Sequence, residues 1–276
     1  MSEIFGFDAY APKEIAEKVH DIGVTKSRLP LVSQLTLGML AGGFIGLGAL
    51  YFTLVTSDAS LSFATARLLG GLAFSLGLIL VVVAGAELFT GNNLLVMAWA
   101  SRRITSWELL RNWIVIYLAN FIGAFGLVLL VLWSQQWRIN NDAVGVTALK
   151  IAAAKAALPF WEAFFKGILC NVLVCLAVWL ALAGRSVVDK IFAIIFPISA
   201  FVAAGFEHSV ANMYFIPLGI LVQEHVSMPG LPTVSWPGLI FNLVPVTLGN
   251  IVGGAVMVAA VYYLVYCVRS NKPGPP

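Results

Sequence analysis

Charge is what this chain has least of. Lys, Arg, Asp and Glu make up 11% of its 276 residues and leave a net charge of +3, against about 25% charged residues in an ordinary soluble domain. A water-exposed globule is therefore excluded. A nucleic-acid surface is excluded too, because no basic stripe runs along the chain to neutralise phosphates. Cysteine is scarce: Cys170, Cys175 and Cys267 are odd in number and lie in apolar sequence. That excludes a disulfide framework and reads as small buried hydrophobes. Two glutamates and one histidine in the middle of apolar runs, at unrelated spacing, make no metal site, and no cofactor is expected. No cleavable leader is expected either, since the first residues are polar and the first long apolar run begins after Arg28.

What the chain does have is apolar length. Hydrophobic residues reach 60%, in runs of about 20 residues rather than the ten-residue alternating segments of an outer-membrane barrel. The reading is an all-α membrane protein with six transmembrane helices. Residues 1–30 hold a short amphipathic helix, Pro12 to Ser27, with Ile15, Val19 and Ile22 on one face. Spans follow at about 31–56, 66–100, 107–133, 159–183, 191–223 and 239–268. The polar link 135–158 is long enough for a surface helix, residues 185–190 read as a charged turn, and 269–276 form a tail. Eleven of the sixteen Lys and Arg residues fall on the side of the termini; the other five are Arg67, Arg138, Lys150, Lys155 and Lys166. Both termini are therefore expected in the cytoplasm.

Spans 2 and 5 are each interrupted by the same polar skeleton. Gly85 to Asn92 and Gly205 to Asn212 both read G-x-E-x-x-x-x-N, 120 residues apart. Asn112 to Gly123 and Asn242 to Gly253 share N-x7-N-x-x-G at an offset of 130, and Gly38 and Gly42 precede Gly167 and Asn171 by 129. Two units of three helices, 31–134 and 159–268, follow. An odd number of spans per unit inverts the second, an inverted 3+3 repeat with both breaks at the bilayer midplane.

Broken backbone at membrane depth must face protein or water. Each second half-helix starts near the middle, so two positive dipole ends converge on an anion-attracting centre. His208 is the titratable group there: a proton moved to a weak-acid anion removes most of the cost of carrying it through low dielectric. Glu87 and Glu207 are read as acceptors for the broken N–H groups, with Asn92 and Asn212 beside them. Thr90 offers a hydroxyl to the anion or the loop. Asn171, Asn242 and Asn250 line the path or bond the loops, the second being preferred. Phe74, Leu78, Phe89 and Phe201 sit near the breaks; aromatics at such spacing mostly serve packing, but a hydrophobic constriction on each side of a polar centre is also how a narrow pore dewets. His20 and His225 receive no role.

The segments GGLAFSLGLILVVVAGAELFTGNN, KGILCNVLVCLAVW, FVAAGFEHSVANM and NLVPVTLGNIVGG, which with their surroundings span about residues 10–268, resemble the formate/nitrite transporter family. The resemblance implies an aquaporin-like six-helix protomer, a homopentamer in membrane lipid, and one pore per protomer. It also implies a small monovalent anion as substrate, formate first, exchanging a proton with a central histidine. On it His208 is that histidine, Thr90 the mobile residue of the first break, Lys155 the outer lysine that attracts the anion, and Asn171 an assistant near the ring. Glu207 is placed on the path as well, and Leu78 and Phe201 at the constriction, with Phe74 and Phe89 adjoining. SLGLIL and GRSVVDK are nearer the formate branch, whereas FFKGILCN is nearer nitrite members, so nitrite and hydrosulfide stay open. An aquaporin-type neutral-solute channel is the other alternative, though neither break contains Asn-Pro-Ala. An enzyme is not expected, because His208, Glu207 and Ser209 are adjacent in sequence and point apart.

Overall fold

The computed structural model describes residues 9–268; the expected tail at 269–276 lies outside them. Helix α1 spans Pro12–Ser27, with proline in its first turn, Glu14 accepting from the N–H of Ala11 (2.7 Å), and Ile15, Ala16 and Val19 buried on one face. Then come α2 (Leu31–Thr56), α3 (Phe63–Ile79), which continues through π-helical turns to Gly85, and a 3₁₀ turn at Gly91–Leu95 leading into α4 (Val96–Ala100). Helix α5 is Ser106–Trp133, α6 Ala143–Ala156, α7 Phe160–Ala183, α8 Val187–Ala204 and α9 Ser209–Val222. The last span begins as α10 (Trp236–Ile251), loosens into a π-helical stretch at Val252–Ala260 and ends as α11 (Val261–Tyr266). Among the described residues six helices are long and apolar enough to cross a membrane. Among the described residues the only extended pairing is a bridge between Ala9 and Gly184.

One boundary differs from the sequence reading. The charged stretch at 185–190 is the first turn of a helix, because Ser186 and Asp189 form a capping box: Asp189 Oδ2 accepts from the Ser186 N–H (2.8 Å) and Ser186 Oγ from the Asp189 N–H (3.1 Å). The link before α7 carries a helix with one face buried, at Val144, Gly145, Ala148, Leu149, Ala152 and Ala153, while Lys150 and Ala154 are exposed. Small residues on one face of α6, among them Gly145, Ala148, Ala152 and Ala153, let it pack flat on α9, where Gly219 lies against Ala152.

The spans are held in two similar pairs, α2 with α5 and α7 with α10. A Cβ on Gly123 would run into the carbonyl oxygen of Met39, and one on Gly253 into that of Ile168. Met39 and Ile168 are 129 residues apart, Gly123 and Gly253 130, so the same close crossing is made twice. The outward faces, with Leu118, Ile122, Phe241 and Leu248 more than half or nearly half exposed, are apolar, as a multi-pass membrane protein requires.

Candidate functional site at two helix breaks

Both breaks begin with a glycine in the left-handed region, Gly85 at φ +85° and Gly205 at φ +73°, where a side chain would be strained. The chain then runs extended for a few residues and restarts as a helix. The exposed backbone is met by asparagines from the third span of each unit. Asn120 Nδ2 donates to the carbonyls of Gly38 (2.8 Å) and Glu87 (2.9 Å), and its Oδ1 accepts from the N–H of Phe89 (2.9 Å). Asn250 repeats this with Gly167 (2.8 Å), Glu207 (3.0 Å) and Ser209 (2.9 Å). Each backbone group left unmet here would cost about 1–3 kcal/mol.

The glutamates do something else than the sequence suggested. Rather than accepting from backbone N–H groups, each closes a side-chain network. Glu87 pairs with Lys26 Nζ (3.0 Å) and accepts from Asn92 Nδ2 (2.8 Å); Asn92 also donates to Asn112 Oδ1 (3.0 Å), and Asn112 donates to the carbonyl of Lys26 (3.2 Å). Glu207 pairs with Lys155 Nζ (2.8 Å) and accepts from Asn212 (2.6 Å); Asn212 donates to Asn242 Oδ1 (2.7 Å), and Asn242 to the carbonyl of Lys155 (2.8 Å). Lys26 comes from α1 and Lys155 from α6, so the N-terminal helix and the linker helix take matching places. Sequence reasoning missed Lys26, although it stands 129 residues before Lys155, the offset of Gly38 and Gly167.

Between the breaks, Thr90 and His208 meet. Thr90 precedes the 3₁₀ turn of the first half-helix and His208 is the N-cap of α9. Their side chains are 2.9 Å apart, Oγ1 to Nε2. His208 Nδ1 accepts from the N–H of Ala211 (3.1 Å), so a neutral ring carries its proton on Nε2 and points it at Thr90. Adding a proton at Nδ1 requires α9 to give up that cap. Phe201 stacks on the ring at 6.0 Å between centroids. The Thr90 carbonyl lies 3.2 Å from Asn171 Nδ2 and 3.4 Å from the Cys175 thiol; Asn171 Nδ2 also reaches Asn93 Oδ1 (3.2 Å) and the Asn250 carbonyl (2.7 Å). Asn171 Oδ1 is buried with no partner among the described residues.

Two cavities open at the breaks; His208 lines the second, and Thr90 lines neither. One, about 350 Å³, is lined by Lys26, Leu78, Val81, Gly85, Glu87 and Leu88 among others; the second, about 250 Å³, by Phe74, Phe201, Gly205, Glu207, His208 and Lys155 among others. They share no lining residue. Phe74 and Phe201 meet edge to face at 5.6 Å. Of the four residues expected at a constriction, Phe89 lines neither cavity and packs on Trp113 and Tyr117. Leu88 and Phe215, which do line them, went unnoticed in the sequence. Cys170 and Cys175 are buried and free, and no group of three His, Cys, Asp or Glu that could hold a metal exists among the described residues.

Known proteins are similar to this chain along nearly their whole length. The formate channel FocA of Escherichia coli K12 is 40% identical over 96% of this chain and 97% of its own. A probable formate transporter of Methanothermobacter thermautotrophicus is 39% identical over 93% and 97%. Among solved structures, a pentameric formate channel with formate bound matches at a TM-score of 0.79 and 41% identity, covering 86% of this chain and 97% of that one. An FNT family ion channel matches at 0.82 and 30%, covering 91% and 98%. The family model for formate/nitrite transporters spans residues 13–264, from the helix that carries Lys26 to the end of the sixth span, and the chain belongs to that family.

Proposed function

We propose that each subunit of a homopentamer carries a path for a small monovalent weak-acid anion, formate first, and that the protein is not an enzyme. One observation carries this reading: the Thr90–His208 pair stands at the starts of two half-helices, at the breaks where the two cavities open, with no other titratable side chain in the contact. The formate channels among its relatives, and the pentamer with formate bound, support both the substrate and the assembly. The matched networks support an inverted repeat with the breaks at mid-membrane. With both termini on the cytoplasmic side of the inner membrane, the Lys26 cavity faces the cytoplasm and the Lys155 cavity the outside. The repeat units extend from the spans 31–134 and 159–268 to take in α1 and α6.

In this path the anion displaces the Thr90–His208 contact and accepts from Nε2–H and the threonine hydroxyl, close to the positive end of α9. Asn171 holds the Thr90 loop. Phe74, Leu78 and Phe201 bound the narrow part. A proton reaches the anion when His208 becomes imidazolium, which requires the Ala211 cap to open. The test is stopped-flow uptake into proteoliposomes of formate, nitrite, hydrosulfide and glycerol side by side. Formate is expected to be fastest. Nitrite or hydrosulfide ahead of it would move the substrate within the family, and glycerol passing while formate does not would end the reading.

A further inference from the structure

The cavity of the second break is lined by three cations, and two of them are already engaged. Lys155 is held by Glu207 at 2.8 Å and Lys166 by Glu162 at 2.7 Å. The third is Arg67, from the first turns of α3. The residue is half-buried, and its Nη1 lies beside Gly205, 3.6 Å from where a Cβ on that glycine would stand. Among the described residues Arg67 makes no ion pair or hydrogen bond, only a loose approach to the Phe63 ring at 5.3 Å. Nor is it needed to cap α8, since the carbonyls of Phe201 and Val202 already accept from the N–H groups of Phe206 and Gly205 (3.1 and 3.0 Å). The opposite cavity has no counterpart: its one lining cation, Lys26, is paired with Glu87, and the position 120 residues after Arg67 is Val187.

We propose that Arg67 is the anion-collecting residue of this mouth, the part expected of Lys155, and that Lys155 serves to hold Glu207 in the break. This rests on the reading of the path as an anion route. An uncompensated cation at the rim of a cavity with apolar walls focuses its field into the cavity and raises the local concentration of small anions. A lysine whose charge is met at contact distance by a buried carboxylate contributes far less. Salt weakens the rim charge, because the Debye length falls from about 10 Å at 0.1 M to about 3 Å at 1 M.

The experiment is stopped-flow uptake of formate and of nitrite into proteoliposomes of the full chain at low ionic strength and neutral pH, for R67K, R67Q and R67E, each checked for its pentamer by size exclusion. Permeability at zero potential is equal in both directions for a passive path, so random orientation in the vesicles does not blur the result. R67K is expected within about twofold of wild type, R67Q about three- to tenfold below it and R67E lower again, with the differences closing at about 1 M salt. Wild-type rates in R67Q at low salt, R67K falling as far as R67Q, or losses that persist in high salt would each overturn the assignment. If wild type carries nitrite but not formate, the substrate reading falls and the ordering measured with nitrite still decides Arg67. If it carries neither anion, both fall.

Discussion

Lys26 and Lys155 reach their glutamates from α1 and α6, and the two networks agree down to the asparagine that donates back to the lysine's own carbonyl; they differ in one bond, since Lys26 Nζ also donates to Asn92 Oδ1 (3.1 Å) whereas Asn212 Oδ1 has no partner among the described residues. Around those networks the two cavities diverge. At matched positions 120 residues apart, Val81, Ala86, Leu88 and Leu95 on the first side face Phe201, Phe206, His208 and Phe215 on the second. The pairs that match hold backbone; the pairs that differ line the cavities. The repeated spacing covers the scaffold, and the imidazole with its aromatic surround belongs to one half alone.

His208→Leu puts a leucine where the first break already has one, and should bring formate uptake down to that of protein-free vesicles while the pentamer elutes unchanged; retained uptake would mean that the difference between the halves is ornamental. Next in size are the ion pairs. Removing one partner of a buried pair costs about 3–5 kcal/mol. Lys155 is 16% exposed in its pair and Lys26 27%, so Glu207→Ala should lie in that range and Glu87→Ala below it, by denaturant unfolding of the detergent-solubilised protein. Equal losses would show that α1 is as firmly seated as α6. The asparagines should not discriminate: Asn120→Ala and Asn250→Ala should each cost about 1–3 kcal/mol or somewhat more, and a large inequality in the same unfolding assay would break the equivalence of the breaks.

The smallest effect concerns His20, whose match on α6 is Leu149, 129 residues on. His20 shares a hydrogen bond with Ser101 Oγ (3.0 Å), and burial, aided by Arg103 and opposed by Asp21 and Glu17, holds its imidazole below the usual value. A lowered histidine favours the docked state while neutral. That contribution is present above the unfolded pKa and is lost as pH falls through it toward the folded one. Hydrogen exchange in α1 should therefore be less protected at about pH 5 than at about pH 7.5, by less than about tenfold, with His20→Gln removing the difference and α6 showing none. A pH effect that survives His20→Gln would locate the sensitivity elsewhere.

Much of this was legible in the residues. Apolar length set the six spans, and the glutamate and asparagine spacings marked both breaks because polar groups in hydrocarbon are too costly to be accidental. Lys26 escaped because a lysine on an amphipathic helix normally points to water, and only its offset from Lys155 gave it away. The packing face of α6 escaped because alanine and glycine score as weakly apolar although they pack closely. The partners of Glu87 and Glu207 could not be read at all: they depend on side chains from three separate elements meeting, and on asparagines having already taken the backbone groups.

Lys26 leaves the ribosome about sixty residues ahead of Glu87 and more than eighty ahead of Asn112. The first network can therefore close only once the third span has been delivered. The second waits in the same way, because Lys155 precedes Glu207 by 52 residues and Asn242 by 87, and it closes only with the sixth span. A bulky fusion placed before α1 would act on the earlier of the two closures alone, leaving the half that holds the imidazole free to complete.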